Sequence, residues 1–570
     1  MKKLFITLTF TTILFLQFAC TEKPQPVSAE NGMVVSTSSY ASKVGVEILK
    51  KGGNAIDAAV AVGFALAVTY PSAGNLGGGG FMVIHLAGGK NIAIDFREKA
   101  PLSAHRDMYL NESGDFVPEL SMQGVTSAGV PGSVAGLIYA LENYGTLSLV
   151  EVIQPAIDLA KAGWRFEMRD SIYFSGSFPI FEKYPSSKKI FTKNGGLYKT
   201  GDLLVQPDLA WTLEQIQNFG RDGFYKGKVA ELLVAQVSSL GGYITLEDLE
   251  KYQPMEREPV VGTYRGYEVV SMPPPSSGGI VLVELLNILE NYNLSDNDFG
   301  SSQYIHQLVE AMKYVYADRT YHLGDEDFYP APKEQLLSKE YAKTIFERIE
   351  SAKDKAVPSG EIKSLDVSLL HESTETTHYS VIDSSGNAVS TTTTINSSFG
   401  SGIVVEGAGF LLNNEMDDFS GKPGVMNQFG LLGTEANSIQ PGKRMLSSMT
   451  PAIILQDGEP FIIIGSPGGP VIITTVLQVI LNCIDFEMNI REAIEAPRIH
   501  HQWMPDSLYY ESGALTESVK KELTAIGYAL VNDGVNFRIL GIAEGIMIDN
   551  HSKIIYGASD PRGGGLAIGY

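Results

Sequence analysis

The chain has little cysteine: two residues in 570, Cys20 and Cys483. A disulfide framework is excluded, and if Cys20 is removed or modified no internal disulfide is possible. Cys483 lies in the apolar stretch "VLQVILNCIDF" and is expected to be a buried core thiol. Positive charge is also scarce. Lys and Arg total 43 against 65 Asp and Glu, a net −22. That balance argues against a nucleic-acid partner, because phosphate binding needs concentrated Lys and Arg. Beyond the N-terminus no apolar run reaches the length of a membrane span, and there is no internal repeat. Glycine, at 59 residues, and apolar side chains, at 44%, are plentiful. The first implies tight turns and close backbone approaches, the second a folded globular protein.

Residues 1–20 read as an export signal. Lys2 and Lys3 precede a run from Leu4 to Phe18 that is apolar apart from threonines and Gln17, and Ala19-Cys20 closes it. Its removal takes two positive charges and leaves −24. Cys20 and the polar "TEKPQPVSAE" after it resemble a bacterial lipoprotein acceptor and tether, although Gln17 and Phe18 are not the usual residues before such a cysteine. Lipidation of Cys20 and simple cleavage both fit. The protein is expected to be exported, either periplasmic or anchored to a bacterial membrane.

From Asn31 to Ala356 helical patterns dominate. "SYASKVGVEILKKGGNAIDAAVAVGFALAVTY" reads as two helices broken at Gly52-Gly53, the second apolar nearly all round and therefore buried. "FMVIHLAGGKNIAIDFRE" reads as a hairpin. Further helical patterns lie at Gly132–Tyr144, Leu149–Ala162, Leu209–Phe219, Lys228–Leu240, Ile280–Asn291, Ser302–Tyr321 and Ser338–Ser351. From Ser351 a polar stretch, "SAKDKAVPSGEIKSLDVSLLHESTE", reads as an exposed loop. Two hairpins, Thr376–Asn396 and Ala452–Gly465, and a helix at Val471–Asn482 follow. Paired strands with grouped helices predict layered α and β. "GNLGGGGF", residues 74–81, lacks P-loop spacing and a following Lys, and reads as a tight structural loop.

The hairpin at Thr376 carries the chemical signal. Asp383-Ser384-Ser385-Gly386-Asn387 is a turn. If Asp383 pairs with Asn387, Thr376 lies opposite Thr394, unless a bulge shifts the register by one. A threonine hydroxyl is a weak nucleophile, and one solution uses the threonine's own α-amine as base when it is the first residue of a chain. Cleavage of the Glu375–Thr376 bond would create that amine. Composition alone favours a plain Thr-rich strand edge.

The segments "TTHYSVIDSSGNAVSTTTTINSSFGSGIV", "LLNNEMDDFS", "RMLSSMTP" and "GSPGG" stand in an order and spacing that resemble the γ-glutamyltranspeptidases. So do "DFREKAP", "GVPGSVAG", "MPPPSSGG" and "YGASDPR". The resemblance runs from about Ser36 to the C-terminus. It implies an α+β fold, the four-layer αββα sandwich of the N-terminal-nucleophile hydrolases. It implies a precursor that cuts itself into a large subunit, 21–375, and a small subunit, 376–570, interleaved in one domain. It puts the nucleophile at Thr376, a supporting hydroxyl at Thr394 and oxyanion-hole amides at Gly468 and Gly469. Arg97, Ser447 and Ser448 would hold the donor's α-carboxylate. Asn396, Glu415 and Asp418 would receive its α-ammonium. The implied donors are glutathione and other γ-glutamyl compounds, and the acceptors are water or the amine of an amino acid or peptide. No metal or cofactor is implied.

One position departs from the pattern. In "SGKPGVMNQFGLLG" Phe429 stands where bacterial relatives carry a lid tyrosine. Two other functions remain open on the sequence: an acylase of the β-lactam or glutaryl type, and a surface lipoprotein that binds γ-glutamyl compounds without catalysis. If the Thr376 amine is not the base, His378 on the same strand is the next candidate.

Overall fold

The computed structural model describes residues 24–362, 376–532 and 540–570. The export segment with Cys20, residue Glu375 and the linker from residue 363 onward lie outside the described residues.

Two seven-stranded antiparallel sheets face each other. The front sheet runs in the order Leu566–Gly569, Met33–Ser36, Thr377–Ile382, Ala388–Thr394, Gly79–His85, Asn91–Asp95, Met255–Arg257. The back sheet runs Val27–Ala29, Ile555–Ser559, Glu544–Ile548, Glu459–Ile464, Ala452–Gln456, Tyr267–Ser271, Val260–Tyr264. Val35, Phe81, Val83, Val270, Ile453, Ile463 and Ile546 fill the space between them. Helices Ser39–Lys50 and Ala55–Thr69 cover the outer face of the front sheet through Tyr379, Val381 and Val389. Helices Gly278–Leu289 and Val471–Ile484 cover the back sheet through Val269, Ile454 and Ile462. The result is the expected α-β-β-α sandwich. Both faces of each central strand are buried, and all seven residues of Gly79–His85 are inside.

The central hairpin pairs Thr377 with Thr393 and each pair inward to Ile382 with Ala388, with no bulge. Asp383 N donates to Asn387 O at 3.1 Å, which closes the turn as anticipated. The Asp383 carboxylate also accepts from the Ala55 amide, so the turn caps the buried helix on top of it. The hairpin's inner face is polar. Ser380 Oγ donates to Glu544 O (2.9 Å) and Ser390 Oγ to Ile464 O (3.1 Å), bonds that cross from one sheet to the other. They fix the front sheet against the back where the site is built.

The expected helices are present within a few residues of their predicted ends. Helices Met168–Lys183 and Glu517–Ala525 and the strand pair Val260–Tyr264 and Tyr267–Ser271 were not read from sequence. Gly176 and Pro179 interrupt the first helix's pattern. The strand pair turns on Arg265-Gly266, both at positive φ, without the Asn or Asp that usually announces such a turn. Among the described residues no helix is long and apolar enough to cross a membrane. Cys483 is buried, and burial pushes its thiol up to about 12.

Candidate active site

Thr376 stands at the head of the central hairpin, 5% exposed, on the wall of a pocket that Thr394 also lines. Extending the observed register by one pair sets the two threonines opposite each other. Thr394 Oγ1 accepts the Asn396 amide at 2.8 Å, and Asn396 Nδ2 donates to Asn414 O at 2.9 Å. The glycine loop at 74–81 seats this strand end: a Cβ on Gly78 would lie 2.1 Å from Thr394 O. The Asn75 side chain binds that same carbonyl at 2.9 Å. The loop is structural, as its spacing suggested.

Gly468 and Gly469 form the turn into helix Val471–Ile484, at φ 135° and 56°, values that suit glycine. Their carbonyls accept the Val471 and Ile472 amides, both at 3.2 Å, and so begin the helix. Gly469 lines the pocket and Gly468, buried, is its neighbour rather than a lining residue. A helix start of this kind favours negative charge.

His378 is excluded as a base by position. It bonds Thr392 Oγ1 (2.9 Å) and Ser380 Oγ (3.1 Å), fills the space above Gly465 and does not line the pocket. Burial pushes it down to about 3, so it is neutral.

Charge is concentrated elsewhere in the pocket. Arg97, fully buried, pairs through Nη1 with Glu415 and through Nη2 with Asp418. Glu98 lies 3.7 Å from Nη1. Burial alone would lower the guanidinium's pKa, but the three carboxylates outweigh it and raise it. Burial raises all three carboxyl groups, with Arg97 opposing. Among the described residues neither Glu98 oxygen nor Glu415 Oε2 finds a hydrogen-bond donor. Ser447 and Ser448 complete this region, held by the "MPPPSSGG" segment, in which Ser277 N and Oγ both donate to Ser447 O (2.8 and 2.7 Å). "GVPGSVAG" seats Arg97 from behind: a Cβ on Gly132 would lie 2.0 Å from Phe96 O.

All the residues assigned from sequence therefore converge on one pocket, apart from Gly468 just behind it and Glu375 outside the described residues. Two charged residues were missed, one against Arg97 behind the lining and one in it. Glu98 follows Arg97 directly. Arg319 lines the same wall.

Residues 41–570 match the family model described as Gamma-glutamyltranspeptidase. The chain belongs to that family. It is 49% identical over 539 residues to the glutathione hydrolase proenzyme of Escherichia coli (strain K12), covering 94% of this chain and 91% of that protein. The crystal structure of Helicobacter pylori gamma-glutamyltranspeptidase aligns with TM-score 0.57 at 50% identity, covering 60% of this chain and 96% of that one. The cephalosporin acylase from Bacillus halodurans aligns with TM-score 0.84 at 26% identity, covering 98% of this chain and 99% of that one.

The segment around Phe429 borders the pocket, with Val425, Asn427, Phe429 and Leu431 among the lining residues. Phe429 brings no hydroxyl, and the segment is held through Gln428 and the Phe429 carbonyl. Ser397 Oγ donates to Gln428 Oε1 (2.9 Å), and Gln502 Nε2 donates to the Phe429 carbonyl (3.1 Å). Gln502 Oε1 faces His500 Nε2 at 3.0 Å, and His500 Nδ1 meets Thr474 Oγ1 at 2.9 Å. Thr474 belongs to the helix that starts at Gly468-Gly469. The segment is thus tied to the helix that begins after Gly468-Gly469.

Proposed function

We propose that the protein is a γ-glutamyltransferase and glutathione hydrolase that matures by cutting itself between Glu375 and Thr376. In the cut, Thr376 Oγ attacks the Glu375 carbonyl, the amide becomes an ester, and water releases a Glu375 carboxylate and a free Thr376 amine. In catalysis that amine takes the proton as Thr376 Oγ attacks the donor's γ-carbonyl. The Gly468 and Gly469 amides hold the oxyanion. Cysteinylglycine, or another amine, leaves with the proton. The γ-glutamyl ester then passes to water or to the amine of an amino acid or peptide.

One observation carries this reading: a threonine at the head of a central hairpin shares its pocket with a buried guanidinium and the carboxylates of Glu415 and Asp418. A zwitterionic head group needs both signs of charge. Arg97, Ser447 and Ser448 take its carboxylate, and Asn396, Glu415 and Asp418 its ammonium. A denaturing gel of the purified protein tests it. Two bands, the smaller beginning Thr-Thr-His-Tyr, with turnover of a γ-glutamyl anilide, are expected. One full-length band points to the non-catalytic binder.

The overall likeness to the cephalosporin acylase keeps an acylase as a second reading. A glutaryl side chain has no ammonium, so Glu415 and Asp418 argue against it, and a panel of γ-glutamyl and glutaryl donors separates the two. We also infer export through residues 1–20, to the periplasm or to a lipid tether at Cys20. Labelled fatty acid in the native protein but not in Cys20→Ser is the result expected of a tether.

A further inference from the structure

Arg319 is the second guanidinium on the pocket wall. It lies in helix Ser302–His322 on the buried stripe of Leu308, Met312 and Val315, and is 3% exposed. Among the described residues it forms no ion pair. Its Nε donates to Ser277 Oγ (2.9 Å) and its Nη2 to Ser448 Oγ (3.0 Å). The Asp418 carboxylate faces it from beyond ion-pair range. Burial pushes its pKa down to about 10, which leaves it charged at neutral pH. A buried cation held only by hydroxyls is electrostatically incomplete, because hydroxyl dipoles replace only part of its lost hydration.

Its two arms order the hydroxyls around the pocket. Ser448 Oγ accepts from Arg319, and Ser447 Oγ accepts from the Met449 amide at 3.1 Å. With their lone pairs engaged from behind, both hydroxyls keep their own O–H to donate, and among the described residues neither has a protein acceptor. Ser277, the other arm's target, fixes the Ser447 carbonyl from both its amide and its hydroxyl. Arg97, by contrast, already carries Glu415 and Asp418.

We propose that Arg319 is a positioning residue for the donor's α-carboxylate. It supplies the uncommitted positive charge and, through Ser448 and Ser277, aims two hydroxyl donors into the pocket. Selection of donors that bear an α-carboxylate is therefore shared between Arg97 and Arg319. This rests on the assignment of Ser447 and Ser448 to that carboxylate.

The test compares kcat/KM for a γ-glutamyl anilide with that for the 4-aminobutanoyl anilide, which keeps the ammonium and the reacting carbonyl but lacks the carboxylate. Arg319→Gln should lower the ratio about 10- to 100-fold, the range for a hydrogen bond to a charged group. The loss should appear in KM of the γ-glutamyl donor, with Arg319→Lys recovering part of it. Equal loss on both donors would make the residue merely structural and overturn the proposal. If Arg319→Gln does not mature, Ser277→Ala keeps the guanidinium and removes one arm. There the ratio should fall about 2- to 10-fold, the range for one neutral hydrogen bond, and an unchanged ratio overturns the proposal. The double variant Ser447→Ala, Ser448→Ala separates the two assignments. If its ratio is unchanged, the carboxylate site lies elsewhere and the proposal falls with it. If its ratio falls while that of Arg319→Gln does not, only the role of Arg319 is lost.

Discussion

The pocket is lined by Thr376, Thr394 and Gly469 and also by four charged side chains, Arg97, Arg319, Glu415 and Asp418. Every ionisable side chain in the lining belongs to the second group. The first offers hydroxyls and backbone amides, carried by a hairpin and a helix start that bonds between the sheets hold in place. On the proposed mechanism the contrast separates reaction from recognition. The reacting part needs no charged side chain, because the amine expected from the cut supplies the base. The recognizing part concentrates buried charge, which is expensive and therefore selective: a ligand that fails to complete the charge pattern leaves groups unpaired.

That contrast can be broken at either part. The largest effect is expected for Thr376→Ala: one chain on a denaturing gel, and γ-glutamyl anilide turnover down on the order of 10⁴-fold or more, as for other removed nucleophiles. A two-band gel for this variant would place the nucleophile elsewhere. Arg97→Lys should come next. Lysine keeps the charge but cannot bridge Glu415 and Asp418 as a fork does, so donor KM should rise about 10- to 100-fold while the two-band pattern remains. A variant that loses kcat rather than KM would show that the two parts are not separate.

Smaller changes sharpen the comparison. Gln502→Ala removes the donor to the Phe429 carbonyl and should change the ratio of transfer to hydrolysis about 2- to 10-fold, the value of one hydrogen bond, with donor KM little altered. Product analysis with and without a dipeptide acceptor measures it. The smallest effect concerns Asp417, buried just outside the pocket and pushed up to about 7 by burial. Its folded pKa lies above the unfolded one, so between about pH 4 and 7 the folded state holds a proton that the unfolded state has lost. Stability from this group is complete below the window and declines as pH rises through it. Ser121 Oγ donates to its Oδ1 at 2.6 Å and the Gln428 amide to its Oδ2 at 3.1 Å. Asn keeps the volume and is neutral at every pH. Asp417→Asn should therefore flatten the decline in Tm across this window by roughly 2–4 °C, with catalysis unchanged. A steeper slope would mean that Asp417 is ionised.

The hairpin was legible because its turn fixes its register: a bond from Asp383 to Asn387 sets Thr376 against Thr394 without knowledge of the rest. Helices were legible where the period was uninterrupted. The Val260–Ser271 strand pair was not, because Arg265 adopts a left-handed turn conformation that its side chain does not advertise. The site residues came from resemblance rather than pattern: nothing in the residues around Arg97 announces that it is buried. Arg319 left a signal that went unread. It falls on the apolar stripe of its helix, three and four residues beyond Tyr316 and Val315, where a guanidinium needs a reason to be.

The front sheet alternates its origins. Leu566–Gly569 is followed by Met33–Ser36, then by Thr377–Ile382 and Ala388–Thr394, then by strands from the first half of the chain. Once the bond before Thr376 is cut, these strands belong to two molecules woven through one sheet. The uncut precursor can fold as a first-order process. The mature enzyme, once denatured, must find its other half, so its recovery becomes second order and depends on concentration. Maturation is then a ratchet: dilution cannot unweave the native pair, yet a pair that has come apart in dilute solution is effectively lost.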